Sequence, residues 1–211
     1  MSDTYIANRW TLYIYNMQFH QNNLYHIYNR GNNKQQIFFS DNNYFFFLEK
    51  IRKYVSPHCD ILAWCLMPNH FHLLIHANET TCQLSKTLPI PVFKLADNLG
   101  LLLSSYTKAI NKQQGTTGSL FQQRTKSKLV LDEANNYPLT AFHYIHQNPL
   151  KAKLVDRLED WRFSSFREYA GMNKVSTCNK ELAAQLLNLN LQTFKADSYG
   201  VLNDELVKEI F

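Results

Sequence analysis

Two short stretches of this sequence carry side chains spaced for chemistry. In Met67-Pro68-Asn69-His70-Phe71-His72-Leu73-Leu74-Ile75-His76, two imidazoles stand two residues apart. Alternate residues of a strand share a face, so Phe71, Leu73 and Ile75 would point into a core while His70, His72, Leu74 and His76 point the other way. Two imidazoles placed like this can chelate one divalent ion. They can equally be hydrogen-bonded residues of a half-exposed strand, with His76 at the rim. The second stretch is Tyr144-Ile145-His146-Gln147-Asn148. Tyr144 and Asn148 are four apart and share a helical face. Tyr144 offers a phenolic oxygen, a nucleophile once deprotonated, and Asn148 a neutral amide oxygen for a hard cation. The same pair also suits a core tyrosine and a capping Asn before a proline stop. If this helix packs beside the histidine strand, one ion is held by two imidazoles and an amide, with a tyrosine next to it.

The elements that must position these residues can be read from periodicity. Leu24 to Tyr28 reads as a short strand and Arg30-Gly31-Asn32-Asn33 as a turn. Ser40 or Asp41 can cap a helix running through Tyr44, Phe45, Leu48, Ile51 and Tyr54. Ile61 to Met67 is a nearly unbroken apolar run, as in a central strand. Pro68-Asn69 turns the chain into the histidine strand, His70 to Ala77. A long helix is predicted over Val92 to Asn111, broken at Gly115-Thr116-Thr117-Gly118, and then a strand over Leu120 to Leu131. The helix of Tyr144 should begin near Asn136, which leaves Pro138 in its first turn, and end at Asn148 before Pro149. This order predicts an α+β sandwich with helices against an antiparallel sheet. Gly171 to Cys178 reads as a polar linker, and short helices follow from Lys180.

Composition narrows the class. The chain has 211 residues, 45% apolar and 14% aromatic, which suits one ordered globular domain. No run of about 18 apolar residues exists, so no spanning helix is predicted. The first residues lack a signal-peptide profile, so the expected location is the cytoplasm. The cysteines Cys59, Cys65, Cys82 and Cys178 show no paired spacing and read as buried thiols. The net charge of +5 is mild but unevenly placed. Between Thr81 and Val130, seven basic residues face only Asp97, a local +6, while Gly171 to Phe211 carries −1. A basic middle segment suits a polyanion or a solvated helix face.

Together these residues resemble the HUH single-tyrosine transposases, most closely the REP-associated tyrosine transposases, relatives of the small single-strand insertion-sequence transposases. The resemblance runs from about Leu24 to Gly171. It rests on Tyr25-His26-Ile27-Tyr28-Asn29-Arg30-Gly31-Asn32, Trp64-Cys65-Leu66-Met67-Pro68-Asn69-His70-Phe71-His72-Leu73-Leu74, Gly118-Ser119-Leu120-Phe121-Gln122-Gln123-Arg124, Tyr144-Ile145-His146-Gln147-Asn148-Pro149-Leu150-Lys151-Ala152 and Trp161-Arg162-Phe163-Ser164-Ser165-Phe166. It implies a ferredoxin-like α+β sandwich with a central antiparallel sheet and flanking helices. It divides the chain into an N-terminal extension (1–23), the transposase domain (24–171) and a C-terminal extension (172–211). It implies His70, His72 and Asn148 as ligands of Mg²⁺ or Mn²⁺, and Tyr144 as the nucleophile that forms a 5′-phosphotyrosine on single-stranded DNA near a hairpin. His143 and His146 are near enough in sequence to serve as its base. Lys34 and Thr125 depart from the usual family residues. The insertion-sequence relatives exchange catalytic helices in dimers, whereas the REP-associated branch is monomeric, so monomer and homodimer both stay open.

Arg124, Lys126 and Lys128 alternate and would share a face of their strand as a phosphate track, with Arg30 and Lys151 as further contacts. Phe121 or Tyr28 could stack on an unpaired base. DNA would then lie along the basic middle segment and lead to Tyr144. Two rivals share these features: a catalytically silent nucleic-acid-binding protein of the same fold, and a metal-dependent phosphodiesterase using water as nucleophile.

Overall fold

The computed structural model describes residues 17–86, 91–130, 137–173 and 175–200. Most of the N-terminal extension, the ends predicted at Leu131 and Asn136, and the chain from 201 on lie outside the described residues. Four strands form one antiparallel sheet: β1 (Leu24–Arg30), β2 (Asp60–Met67), β3 (His70–His76) and β4 (Lys126–Val130). Their spatial order is β2-β3-β1-β4. α1 (Asp41–Tyr54) links β1 to β2 and α2 (Lys94–Gln114) links β3 to β4, the ferredoxin-like arrangement expected. Gly115 takes the left-handed conformation (φ +64) that ends α2 without a Cβ penalty.

Two layers of helix cover the sheet, which explains the apolar run of β2: every residue after Asp60 is buried. On one face, Phe71 lies 5.2 Å from Phe47 of α1, and Phe47 lies 4.8 Å from Tyr106 of α2. The other face receives α3 (Tyr137–Lys151), which buries Ala141 and Ile145. α3 runs three residues past the predicted stop, through Pro149. Proline lacks only one donor, and in a last turn that loss costs one hydrogen bond. Ala152 N–H then bonds the Asn148 carbonyl at 2.9 Å, and Lys153 turns left-handed at φ 55.

The outer edge of β2 is not left open. Leu66 N–H donates to the Phe163 carbonyl and Ser165 N–H to the Trp64 carbonyl, so residues 163–165 cover a ladder that would otherwise be exposed. Residues 176–178 of the predicted linker are also tied to the domain. Glu168, buried on α4 (Phe166–Tyr169), accepts from Thr177 N–H, Cys178 N–H and the Ser176 hydroxyl, and from Trp64 Nε1. α5 (Lys180–Leu187) and α6 (Phe194–Asp197) follow, and Phe194 is 1% exposed against Phe142, Phe166 and Tyr169.

The strand predicted from Leu120 is shorter than its sequence pattern. Regular pairing begins at Lys126; before it, Phe121 makes a single bridge to Gly31. Between them the chain leaves the ladder, and the Asn29 side chain fills the gap by donating to the Gln122 carbonyl and Thr125 Oγ1. Gly31 is required where it stands, because a Cβ there would overlap the Gln35 carbonyl.

Candidate active site

Paired residues of an antiparallel ladder project to the same face, so the register lays out the surface beneath α3. Cys65, His72, Tyr28 and Lys126 form one row across the four strands. Met67, His70 and Arg30 form the next, and Leu74, His26 and Lys128 the row on the other side. Between this face and α3 opens a cleft of about 540 Å³. One chain supplies His70, His72, Tyr144 and Asn148 to it. Arg30, Lys34, Arg124 and Lys126 also line it, and no carboxylate does among the described residues. Four cations without a counter-charge make a pocket for phosphates.

Both imidazoles are held neutral. Burial brings His70 down to about 4, opposed by a hydrogen bond with Asn148 and assisted by Arg30. Burial also takes His72 well below the usual histidine range, helped by the neighbouring His26 and His70. His70 Nδ1 lies 2.6 Å from Asn69 Oδ1, and Asn69 Nδ2 donates to the Lys34 carbonyl. The amide oxygen therefore accepts from His70 Nδ1–H, which places the lone pair on Nε2. The rings of His70 and His72 are 4.9 Å apart, nearly perpendicular. Asn148 Nδ2 donates to the Tyr144 carbonyl one turn back. No group of three or more His, Cys, Asp or Glu suited to a metal occurs among the described residues. An ion here would therefore have two neutral imidazoles and an amide oxygen, a donor set that fits a divalent cation with open positions.

Tyr144 is half-buried, and burial raises its phenol above the usual tyrosine value. Lys151 Nζ lies 4.8 Å from its ring centroid. The two histidines considered as its base face elsewhere. His143 Nδ1 is 3.2 Å from Ser198 Oγ and His146 Nε2 is 2.7 Å from Ser165 Oγ, both buried on the side of α3 toward the C-terminal segment. Helical spacing separates them from the face shared by Tyr144 and Asn148.

The remaining expectations divide. Lys126 lines the cleft, and Lys128, in the neighbouring row, lies 5.9 Å from the Tyr137 ring. Arg124 lines the cleft from the loop before β4 rather than from the strand. Phe121 is 4% exposed, packed about 6 Å from Phe47, Phe71 and Tyr106. It belongs to the core and has no open face for a base, whereas Tyr28 lines the cleft. The basic middle segment is split across the molecule. Lys108 and Lys112 are exposed on α2, in the layer opposite the cleft. A charge total along the chain adds strand and helix residues that fold onto opposite faces. Sequence reasoning missed His26, whose Nε2 is 2.9 Å from His72 Nδ1. The two-residue alternation of His26 and Tyr28 was the available signal. His76 stands 3.6 Å from Asp60, away from the pair it follows in sequence.

Burial also depresses the pKa of His143 and His146. With His70 and His72, four histidines thus bind protons in the unfolded chain below about pH 6.5 but not in the folded one. Their contribution to stability is complete above pH 6.5 and is lost as pH falls toward the folded values. The expected slope is up to about 1.4 kcal/mol per pH unit for each group. Urea midpoints should hold from pH 8 to 7 and fall steeply from 6.5 to 4; a flat profile over that range would contradict the neutral, buried state.

Comparison with known proteins agrees with this architecture. The family model described as "Transposase IS200 like" matches residues 19–147. A protein of Haemophilus influenzae described as a REP-associated tyrosine transposase is 27% identical over 109 residues, 51% of this chain. The chain spans 58% of that relative's length. A solved REP-associated tyrosine transposase bound to a REP hairpin shares the fold, with a TM-score of 0.55 at 17% identity, over 78% of this chain and 96% of that one. No described helix is long and apolar enough to cross a membrane. The family match covers well over half of the chain and includes β1 to β4 and most of α3, so the protein belongs to the IS200-like transposase family.

Proposed function

We propose that the protein cuts and rejoins single-stranded DNA beside a hairpin, through a covalent bond between Tyr144 and a 5′-phosphate. One observation carries this reading: a single chain lines one carboxylate-free, cationic cleft with His70, His72, Asn148 and Tyr144. The solved relative bound to a REP hairpin supports hairpin DNA as the partner. His70 and His72, through Nε2, and Asn148, through its amide oxygen, would hold Mg²⁺ or Mn²⁺. The ion would supply charge to offset what develops on the scissile phosphate. Arg30, Lys34, Arg124 and Lys126 bind the strand's phosphates and set the scissile one in line with Tyr144. The Tyr144 oxygen attacks phosphorus, the bond from phosphorus to the 3′-oxygen breaks, and that oxygen leaves as a hydroxyl after taking a proton. A 3′-hydroxyl attacks the phosphotyrosine in the reverse sense, so joining needs no external energy source. Lys151 Nζ, 4.8 Å from the Tyr144 ring centroid, is a further cation for the phosphate that Tyr144 attacks. Tyr28 lines the cleft, which supports a role in stacking on an unpaired base.

The test is a labelled hairpin oligonucleotide with a single-stranded flank, incubated with Mn²⁺ and run on a denaturing gel. A protein-linked DNA species that disappears with EDTA is expected. Cleavage with no such species would favour water as nucleophile, and salt-dependent binding with no cleavage a silent binder.

The layout also predicts which cations bind. Each phosphate contact removed should make the plot of log affinity against log salt shallower by about 0.7 for a single strand. The double variant Arg124→Ala/Lys126→Ala should show this loss in both contacts, while Lys108→Ala on α2 should match the parent. Equal effects would contradict binding on the cleft face.

A further inference from the structure

We propose that His26 is a positioning residue: it fixes the tautomer of His72 and thereby the affinity of the cleft for a divalent cation. The inference rests on the reading of His70 and His72 as metal ligands. His26 lies on β1 and His72 on β3, in adjacent rows of the same sheet face. Both are buried, at 0% and 3% exposure. The nitrogens His26 Nε2 and His72 Nδ1 are 2.9 Å apart, with ring centroids 5.0 Å apart and planes within 23°. Those three values describe rings joined edge to edge in one plane by a hydrogen bond, with Tyr28 stacked 4.7 Å from His26.

A hydrogen bond between two neutral imidazoles needs one N–H and one lone pair, so it exists in two forms. In one, His72 Nδ1–H donates to His26, and the lone pair of His72 sits on Nε2, ready for a cation. In the other, His26 donates, and His72 Nε2 carries a proton that excludes a cation. At His70 the partner of Nδ1 is Asn69 Oδ1, an amide oxygen that can only accept. For His72 to present Nε2 to a cation, His26 must act as the acceptor through its own Nε2. Partners behind metal-ligating histidines set affinity by about 10- to 100-fold.

The experiment has two readouts on the metal-free and Mn²⁺-titrated protein. Long-range proton–nitrogen correlation spectra of the wild-type chain without metal should show His72 protonated at Nδ1. Calorimetric titration with Mn²⁺ should then give a dissociation constant about 10- to 100-fold weaker for His26→Leu, which keeps volume but offers no acceptor. His26→Gln, whose amide oxygen can accept, should recover most of the affinity. A wild-type His72 protonated at Nε2 overturns the inference even if the leucine variant does not fold. So does a folded His26→Leu that binds Mn²⁺ as tightly as wild type. Wild-type protein that takes up no Mn²⁺ refutes the metal reading itself, and the inference with it.

Discussion

Tyr144→Phe removes one oxygen and should lower strand cleavage by more than about 10³-fold, because no other group inherits the covalent step. The variant should keep its fold. The ring of Tyr144 is half-buried on α3, and phenylalanine keeps both the ring and the face over which Lys151 Nζ lies. Melting should shift by only a few degrees, in line with a loss of about 1 kcal/mol or less. Binding of hairpin DNA should stay within a few-fold of the parent, since the four cations of the cleft are untouched. Loss of cleavage with intact binding separates a nucleophile from a residue that merely shapes the pocket. Cleavage that continues at the parent rate would remove Tyr144 from the chemistry.

His70→Ala should produce the complementary defect. It deletes an imidazole that lines the cleft without emptying the deep core, since His70 is only partly buried whereas His72 is enclosed. Mn²⁺ affinity should fall by at least about 100-fold, more than for loss of an outer partner. Cleavage should fall with it, and DNA binding should persist. Because two of the three donors are imidazoles, wild-type protein should bind Mn²⁺ more tightly than Mg²⁺, whose preference is for oxygen. The measurement is calorimetric titration of both ions beside a cleavage assay. Unchanged Mn²⁺ affinity in the variant would place the ion elsewhere.

The fold was largely legible because its signals are local. The apolar run of β2, the alternation of β3 and the helical spacing of α1 each give one element, and their order gives the sheet. The site was legible in its chemical groups, since His70, His72, Tyr144 and Asn148 meet in one cleft. What the sequence hid depends on three-dimensional layering. Phe121 sits among motif residues near basic side chains, yet packing against Phe47, Phe71 and Tyr106 removes it from the surface. The basic segment looked continuous because sequence distance does not say that α2 and β4 occupy different layers. His26 became visible only through the register that sets it diagonally beside His72. Residues 176–178 read as a linker because each is polar or small. Their order comes from Glu168, a carboxylate distant enough in sequence to leave no periodic signature.

In the proposed reaction Tyr144 carries the DNA between the two strand exchanges. Tandem mass spectrometry of the protein–DNA species, after nuclease and protease digestion, tests it directly. The expected product is a nucleotide 5′-phosphate esterified to the oxygen of Tyr144, formed only with a divalent ion present. An adduct on another residue, such as Tyr28, or cleaved DNA with no adduct at all, would contradict it.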